Sequence, residues 1–317
     1  MAATGTQRHG RITDPDLAGR LIGRGGLVAI PTETVYGLAA DATDPAAVAR
    51  VYAAKGRPAF NPLIVHVPDR DAAGRIASFD DAADVLAAAF WPGPLTLVLP
   101  LRSGHGLADA VTAGLPTVAV RVPALPLARA ALAVAGVPVA APSANPSGRI
   151  SPTRAVHVLA AMGDRVDAVL DGGPCAVGVE STIVRTDPPA LLREGGLPIE
   201  AIEAVLGGPL SRDTTPGRVQ VPGQLSSHYA PSRPVRLDVT APADDSVLIG
   251  FGPVAGDLTL SAAGDVDEAA AALFATLHAA DALAVRTGRA RIDVAPIPAA
   301  GIGHAVIDRL RRAAAPR

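Results

Sequence analysis

The sequence of 317 residues has one cysteine, Cys175, one tryptophan, and aromatic residues at only 3% of its positions. A single cysteine excludes an intrachain disulfide and any metal site that needs several cysteine ligands. With so few aromatic side chains, the core has to be built from alanine, valine, leucine and isoleucine, and hydrophobic residues make up 49% of the chain. A chain of this length can form one large domain or two domains, each with its own core.

An excess of positive charge and an obvious membrane segment are also missing. The formal net charge is −2, which argues against a general nucleic-acid or membrane-surface binder because such proteins carry a basic bias. No hydrophobic stretch near the N-terminus resembles a signal peptide, and no apolar run is expected to reach the length of a membrane span. We therefore expect a soluble, cytoplasmic protein without membrane contacts.

Lysine and asparagine are rare in this sequence, and their few occurrences lie in segments rich in glycine and proline. Lys55 is the only lysine, and Asn61 and Asn145 are the only asparagines. Lys55 and Asn61 share the run KGRPAFNPL, and Asn145 ends the run APSAN. Lysine presents a compact ammonium and arginine a planar fork, so a site that needs one is not served by the other. Their joint placement indicates a polar site, because chance explains it poorly.

Apolar segments alternate with helical patterns along the first 207 residues. Strands are predicted at Leu27–Ile30, Leu63–Val67, Leu95–Leu99, Thr117–Val122, Val137–Ala141, Val166–Leu170 and Thr182–Arg185. Helices are predicted to start after Asp14-Pro15 and Asp44-Pro45 and to cover residues 81–90, 125–135, 153–162 and 199–206. The alternation predicts an α/β sheet covered by helices. Because the strands at 95–99 and 117–122 leave no room for a crossover helix, the sheet is predicted to be mixed.

The chain is predicted to contain two α/β domains joined by a long linker. The catalytic domain is expected at residues 14–207 and a small C-terminal domain at residues 235–317. Between them, residues 208–234 carry repeated prolines among glycine and serine, which is typical of a linker. A segment of this length is often a lid or a binding loop. In the C-terminal domain, helices are expected at residues 266–279 and 303–314.

The run that begins with the single lysine predicts a site for a polyanion. Lys55, Arg57 and Asn61 lie within seven residues at a helix exit before a strand. Two cations and an amide at this spacing can converge on phosphate. A solvated basic turn would explain the same residues without a ligand.

A second polar segment follows a predicted buried strand. Ser143 and Asn145 come directly after that strand, at the edge where open α/β sheets usually bind ligands. Ser151 then precedes proline at a predicted helix start, where free backbone N–H groups suit a phosphate. An ordinary helix cap would account for Ser151 equally well.

The remaining candidate residues leave their roles open. Arg121 ends a buried strand and needs an anionic partner, either a substrate carboxylate or a structural acid. A lone histidine such as His66 is by default a satisfied core residue. The glycines of residues 172–178 could serve close ligand approach or only turn geometry, and Cys175 is expected to be structural. Paired carboxylates, a histidine-rich metal pattern and a Gly-x-Ser-x-Gly elbow are absent from the sequence, so covalent catalysis is not indicated.

Together these segments resemble the YrdC-type threonylcarbamoyl-AMP synthases in their long, two-domain form. The matching runs are Pro31–Leu38, Lys55–His66, Trp91–Thr96, Thr117–Arg121, Ala140–Asn145, Ser151–Thr153 and Gly178–Ile183. The run from His228 to Pro231 and the tail from Gly301 to Leu310 resemble the features of the long form. The resemblance implies a twisted mixed sheet with a concave ligand cavity. Residues 224–227 depart from the family pattern, which affects lid contacts rather than the reaction.

The resemblance also implies a reaction and its participants. L-Threonine and bicarbonate or CO2 combine, and the carboxylated amine takes AMP from ATP, with release of pyrophosphate. This makes the expected enzyme a nucleotidyltransferase. Mg2+ is expected with ATP, bridging phosphate oxygens rather than bound in a protein cage. The product is expected to pass to a partner transferase that modifies adenosine 37 of tRNA.

Site residues follow from the same resemblance. Thr34, His66, Arg121, Ala141 and Ser181 match positions that hold threonine. The positions around ATP are matched by Arg57, Asn61, Thr117, Ser143, Asn145, Ser151, Arg193 and Tyr229. Lys55 and Arg57 are expected to be catalytic, with Lys55 at the phosphates, and no protein metal site is expected.

Three alternatives remain at this stage. Related single-domain members have been regarded as double-stranded RNA binders, although the near-neutral charge makes that role less suitable here. A similar domain occurs in larger carbamoyl-transfer proteins of hydrogenase maturation, but these carry a zinc finger that one cysteine cannot form. A paralogue with a changed reaction is the third, and the intact Lys55, Arg57, Ser143 and Asn145 weigh against it. Direct tRNA binding is not indicated by the sequence.

Overall fold

The computed structural model describes residues 10–212, 221 and 228–316. Within them, a large mixed sheet with its helices is followed by a smaller parallel sheet with two helices. The predicted α/β class with a mixed sheet is confirmed.

The large sheet is formed by eleven of the described strands. In chain order they are β1 (Gly10–Ile12), β2 (Val28–Ile30), β3 (Gly37–Asp41), β4 (Ile64–His66), β5 (Leu95–Pro100), β6 (Thr117–Arg121), β7 (Val139–Ala140), β8 (Ala168–Leu170), β9 (Thr182–Thr186), β10 (Pro189–Arg193) and β11 (Ser211–Arg212). Their spatial order is β1-β8-β2-β3-β7-β4-β6-β5-β9-β10-β11. Strands β5 and β6 are antiparallel, with Leu97 opposite Val120, as expected for a pair joined without a crossover helix.

Eight helices accompany this sheet in the described residues. They are α1 (Pro15–Ile22), α2 (Pro45–Lys55), α3 (Arg70–Ile76), α4 (Asp81–Phe90), α5 (Asp109–Thr112), α6 (Pro126–Ala135), α7 (Ala155–Met162) and α8 (Ile199–Leu206). The side chains of Asp14 and Asp44 each accept a hydrogen bond from the backbone two residues on, which caps α1 and α2 as predicted. Helix α2 ends at Gly56, which has φ +58 and so takes the left-handed conformation that suits glycine.

The small sheet consists of four parallel strands. These are β12 (Val235–Arg236), β13 (Ser246–Gly250), β14 (Leu258–Thr259) and β15 (Arg291–Val294), in the order β12-β15-β13-β14. Helices α9 (Val266–Thr287) and α10 (Gly303–Ala314) accompany them. Helix α9 is longer than the predicted 266–279, because its alanine-rich sequence continues to the left-handed cap at Gly288.

Several elements differ from their predictions. Strand β3 was not predicted, since its run of glycine and alanine has no strand signature although every residue in it is buried. Strand β10 was also missed, and it pairs antiparallel with β9. Helix α7 begins at Ala155 with Arg154 as its N-cap, so the prediction that Ser151 caps a helix starting near 153 is wrong.

The sheet extends past the predicted limits of the catalytic domain. Strand β1 lies before residue 14 and pairs with β8, and β11 lies within the predicted linker and pairs with β10. Of the rest of the predicted linker, residues 213–220 and 222–227 lie outside the described residues. Val221 is buried among apolar side chains of the sheet, including Ile64 and Ile183. The domain boundaries therefore stay predictions.

Helix α9 is long and apolar enough to meet a criterion for a membrane span, with a mean hydropathy of 1.3. Charged residues such as Asp281 and Arg286 interrupt its sequence, so it is not a continuous apolar run. Leu273, Phe274 and Leu277 of this helix are fully buried in the C-terminal core. A buried core helix meets the same length and hydropathy criterion as a membrane span. A cytoplasmic location stays a prediction.

Candidate active site

A cavity of about 50 Å3 lies over the central strands of the large sheet. Strands β4 and β6 contribute His66 and Arg121 from their C-terminal ends, and the segments after β2 and β7 contribute further residues. Because β7 is antiparallel to β4, these residues come from both ends of the strands, and both Ile64 and His66 of β4 line the cavity. The lining residues are Thr32, Thr34, Val35, Gly37, Arg57, Ile64, His66, Arg121, Ala141, Pro142, Ser143, Glu180, Ser181, Arg193, His228 and Tyr229.

All five residues predicted to hold threonine line this cavity. They are Thr34, His66, Arg121, Ala141 and Ser181. They come from five separate parts of the chain, and the order of the strands brings them together. Of the predicted ATP residues, Arg57, Ser143, Arg193 and Tyr229 line the same cavity.

Arg121 has a protein acid as its partner. Its Nη2 donates to Glu33 Oε1 at 2.6 Å, its Nη1 donates to Thr34 Oγ1 at 2.8 Å, and its Nε donates to the carbonyl of Gly93 at 3.2 Å. The structural-acid alternative therefore holds for the buried guanidinium. Because Arg121 still lines the cavity, a substrate carboxylate would share it with Glu33.

Arg57 and Asn61 are bonded to each other. Arg57 Nη2 donates to Asn61 Oδ1 at 2.5 Å and to the carbonyl of Pro62 at 2.9 Å. Burial lowers the pKa of Arg57 to about 10, so the guanidinium stays protonated at neutral pH. Arg57 thus presents a fixed charge to the cavity, and Asn61 positions it from outside the lining.

Lys55 is bonded to the backbone of the segment after β7. Its ammonium donates to the carbonyls of Ser143 and Asn145, each at 2.6 Å. Burial, and to a lesser extent Arg57, lowers the pKa of Lys55. The single lysine thus ties the end of α2 to the segment after β7, and its predicted place at the phosphates has no support from these contacts. Ser143 of that segment lines the cavity.

Asn145 and Ser151 lie behind the cavity lining. Asn145 Nδ2 donates to the carbonyl of Arg149 at 2.7 Å, and its Oδ1 has no hydrogen-bond partner among the described residues. Ser151 is fully buried, and its hydroxyl donates to Glu180 Oε1 at 2.6 Å. An ATP contact by either residue stays a prediction.

Ser181 and Arg193 form one polar cluster in the lining. Arg193 donates from Nε and Nη2 to the carbonyl of Ser181, at 3.1 and 2.9 Å. The hydroxyl of Ser181 shares a hydrogen bond of 2.7 Å with Thr96. Burial lowers the pKa of Arg193 to about 10, so this arginine also stays charged at neutral pH.

His228 and Tyr229 cover the cavity from the end of the predicted linker. Tyr229 has φ +63, a left-handed conformation that a bulky residue rarely adopts. Its ring lies 4.1 Å from the His228 ring and 5.4 Å from the ring of Phe274 in α9, centre to centre. Both residues are buried, so the returning chain closes one side of the cavity.

Thr117 does not reach the cavity. It begins β6, whereas Arg121 ends it, and five residues of strand separate these ends by roughly 13 Å. Its predicted ATP contact has no support from the cavity lining.

The buried histidines give the protein a predicted response to acid. Burial lowers the pKa of His66 to about 3, with a smaller contribution from Arg121. Burial also lowers the pKa of His228 to about 3, aided by Lys55, Arg57 and Arg309 against the opposing effect of Glu180. As the pH falls, these histidines therefore bind protons first in the unfolded chain, where the pKa of histidine is about 6.5. The stability contributed by the uncharged buried histidines is fully present above that pH and is lost as the pH falls from about 6.5 towards about 3.

We expect the free energy of unfolding to fall by about 1 kcal/mol per histidine between pH 7.5 and 5.5. Urea unfolding followed by the fluorescence of Trp91 would measure this in the large domain. His66→Gln should lose less unfolding free energy over this pH range than the unchanged chain. The control His304→Gln, a change in α10, should lose as much as the unchanged chain. Equal losses in the unchanged chain and His66→Gln would contradict the expectation.

Metal and thiol chemistry have no separate site in the part of the chain that the structure describes. No group of three histidine, cysteine or acidic residues there could hold a metal ion. Glu180, the acid of the lining, is bonded to Arg309, and Glu33 beside the lining is bonded to Arg121. The expectation of Mg2+ with ATP stays a prediction. Burial raises the pKa of Cys175 to about 12, which disfavours the thiolate a nucleophile needs.

Three functional positions were missed by the sequence reasoning. Glu180 and His228 line the cavity, and Glu33 is bonded to Arg121 of the lining, although none of the three was assigned a role. All three lie in runs that were recognised as motifs, so the available signal was an ionisable residue beside the assigned ones. The position of Glu180 also depends on its ion pair with Arg309 of the C-terminal domain. No local sequence pattern indicates that contact.

Two protein families match this architecture. The Sua5/YciO/YrdC family, described as "Telomere recombination", matches residues 20–195, which is more than half of the chain. The chain belongs to this family. The family described as "Threonylcarbamoyl-AMP synthase, C-terminal domain" matches residues 197–315. The first matched part thus contains most of the residues that line the cavity, and the second contains His228, Tyr229, α9 and α10.

Relatives extend over both parts of the chain. Threonylcarbamoyl-AMP synthase of Pyrococcus abyssi is 40% identical and covers 94% of this chain and 93% of its own length. The protein of the same name from Bacillus subtilis is 45% identical over 71% of this chain and 67% of its own length. The crystal structure of P. abyssi Sua5 complexed with L-threonine matches with a TM-score of 0.87 and 38% identity, over 96% of this chain and 97% of the other.

Proposed function

We propose that this chain is a threonylcarbamoyl-AMP synthase. The observation that carries the proposal is the convergence of Thr34, His66, Arg121, Ala141 and Ser181 on one cavity. The same five residues match the threonine-binding positions of the family that the sequence resembles. The names of full-length relatives and the L-threonine complex of a protein with the same fold support the same substrate.

The proposed reaction joins L-threonine, bicarbonate or CO2, and ATP. The threonine nitrogen forms a C–N bond with the carbon of CO2 and loses a proton. An oxygen of the resulting carbamate then attacks the α-phosphorus of ATP, and the bond from that phosphorus to the pyrophosphate oxygen breaks. The products are threonylcarbamoyl-AMP and pyrophosphate, so the enzyme is a nucleotidyltransferase.

The lining has the charges that this reaction needs. Arg57 and Arg193 present guanidinium groups that stay protonated at neutral pH. Adenylyl transfer builds negative charge on the α-phosphate oxygens and on the departing pyrophosphate, and fixed cations stabilise both. His66 stays uncharged because burial lowers its pKa to about 3. It therefore offers a neutral ring to the amine end of the amino acid.

The size of the cavity supports a lid at Tyr229. Sites for drug-sized ligands enclose about 300–1,000 Å3, whereas this cavity encloses about 50 Å3. ATP therefore needs His228 and Tyr229 to move before it can enter. Both residues belong to the predicted linker. Their rings contact each other, and Tyr229 has a left-handed backbone conformation.

The product fits a place in tRNA modification. A mixed anhydride of a carbamate and AMP is an activated acyl donor, so a second enzyme has to accept its threonylcarbamoyl group. We propose a partner transferase that places this group on adenosine 37 of tRNA, and this chain needs no tRNA contact of its own for that step.

The test is the release of pyrophosphate from ATP by the purified protein. We expect release only when L-threonine, bicarbonate and Mg2+ are all present, with Arg57→Ala as a control against contaminating ATPases. ATP turnover that is indifferent to threonine would contradict the proposed substrate. No turnover, with a salt-dependent affinity for double-stranded RNA, would favour the RNA-binding alternative.

A further inference from the structure

A buried arginine of the C-terminal domain is bonded to an acid of the cavity. Arg309 in α10 has 0% exposure, and its Nε donates to Glu180 Oε2 at 2.8 Å. The other oxygen of Glu180 accepts the hydroxyl of Ser151 at 2.6 Å. One line of hydrogen bonds therefore runs from α10 through Glu180, which lines the cavity, to a residue predicted to contact ATP.

The loop that carries Glu180 is held against the same domain. Gly178 has φ +76, and a Cβ atom at this position would overlap the backbone of Ala270 and Ala271 in α9. Val179 is fully buried in the C-terminal core, beside the side chains of α9. The glycine at 178 thus serves the close approach of a helix, and the position of Glu180 depends on that helix.

Stability alone does not account for this ion pair. Replacing a buried ion pair with apolar side chains of similar volume is often neutral or stabilising. Arg309 also leaves its Nη2 without a hydrogen-bond partner among the described residues, and an unsatisfied buried donor is unfavourable. Apolar side chains at both 180 and 309 would fill the interface without either penalty.

We propose that Arg309 is a positioning residue of the active site, through which the C-terminal domain sets Glu180 and Ser151 for ATP. This rests on the proposed function. Without Arg309, the Glu180 carboxylate would face the cavity with only Ser151 bonded to it. A carboxylate in that state repels the phosphates of ATP, because like charges in a poorly solvated site interact strongly. Arg309 neutralises Glu180 and fixes the direction of its second oxygen.

The geometry predicts an effect on ATP rather than on threonine. Glu180 accepts the hydroxyl of Ser151 and interacts with the charge of Arg193, whereas Arg121 at the end of β6 is paired with Glu33. We expect Arg309→Gln to lower kcat/KM for ATP about 10- to 100-fold, the scale for a displacement of about 1 Å at a reacting site. The KM for L-threonine should change less than threefold.

A double substitution separates positioning from folding. Glu180→Gln removes the uncompensated charge, so the Glu180→Gln/Arg309→Gln protein should regain at least part of the ATP affinity lost in Arg309→Gln. Arg236→Gln is the matched control, because Arg236 forms an ion pair with buried Asp293 in the same domain. It should lower the melting temperature without a selective change in the KM for ATP.

The measurements are pyrophosphate release and the binding of ATP, followed for Arg309→Gln, the double variant and Arg236→Gln beside the unchanged protein. A selective loss for ATP in Arg309→Gln, with recovery in the double variant, is the expected result. Equal losses for ATP and threonine, or the same losses in Arg236→Gln, would overturn the proposal. If Arg309→Gln does not fold, Arg309→Lys takes its place, because it keeps a cation beside Glu180 without the planar fork; a KM for ATP and a KM for threonine that change equally in that variant would also overturn the proposal. Failure of the unchanged protein to release pyrophosphate would instead reject the proposed function.

Discussion

Replacing Lys55 with alanine is expected to lower the rate of pyrophosphate release about 100-fold, the scale for a displacement of about 1 Å at a reacting site. The ammonium is buried and donates to the carbonyls of Ser143 and Asn145. Its removal takes the side-chain donor from both carbonyls and leaves that of Ser143 only the backbone N–H of Asn145, and a buried acceptor without a partner costs about 1–3 kcal/mol. The segment after β7 can then move, and Ser143 of that segment lines the cavity.

Two further substitutions at this position test the reason for the loss. Lys55→Met keeps the length of the side chain but has no donor, so it should be as impaired as alanine. Lys55→Arg should also be impaired, because the planar fork does not fit a site shaped for an ammonium between two carbonyls. Arg75→Ala, an exposed change in α3, is the control. Turnover near that of the unchanged protein in Lys55→Ala would remove Lys55 from the active site.

The second large effect is expected at Arg121, where lysine should raise the KM for L-threonine about 10- to 100-fold. That range corresponds to the loss of one hydrogen bond to a charged group, about 1.5–3 kcal/mol. The three donors of the guanidinium bind Glu33, Thr34 and Gly93 in a fixed plane. An ammonium cannot satisfy all three and still meet a substrate carboxylate.

Threonine-dependent pyrophosphate release at saturating ATP would measure this change, with Arg102→Lys on the exposed surface as the control. The KM for ATP should stay within about threefold, because the ATP contacts are proposed for Arg57 and Arg193. Arg121→Ala is a poorer test, since it leaves Glu33 buried without its cation and destabilises the fold. An unchanged KM for threonine in Arg121→Lys would contradict the proposed carboxylate contact.

Local sequence patterns were sufficient for much of the architecture. The Asp-Pro pairs at 14–15 and 44–45 are confirmed as helix starts, because a cap and a preset φ act within a few residues. Continuous apolar runs correctly predicted buried strands such as β5 and β6. Strand β3 could not be predicted in this way, since a run of small residues becomes a strand only through its neighbours β2 and β7.

The candidate site also has features that local sequence predicts and features that depend on the tertiary structure. Sequence by itself determined which segments carry the chemistry, because rare polar residues and glycine or proline mark them locally. The five residues predicted to bind the substrate threonine line one cavity. The tertiary structure decided the partners of each charge. Lys55 binds carbonyls, Arg121 binds Glu33, and Glu180 binds Arg309 from 129 positions further along the chain. A buried charge takes its partner from whichever element packs against it, and that contact is fixed by the fold as a whole.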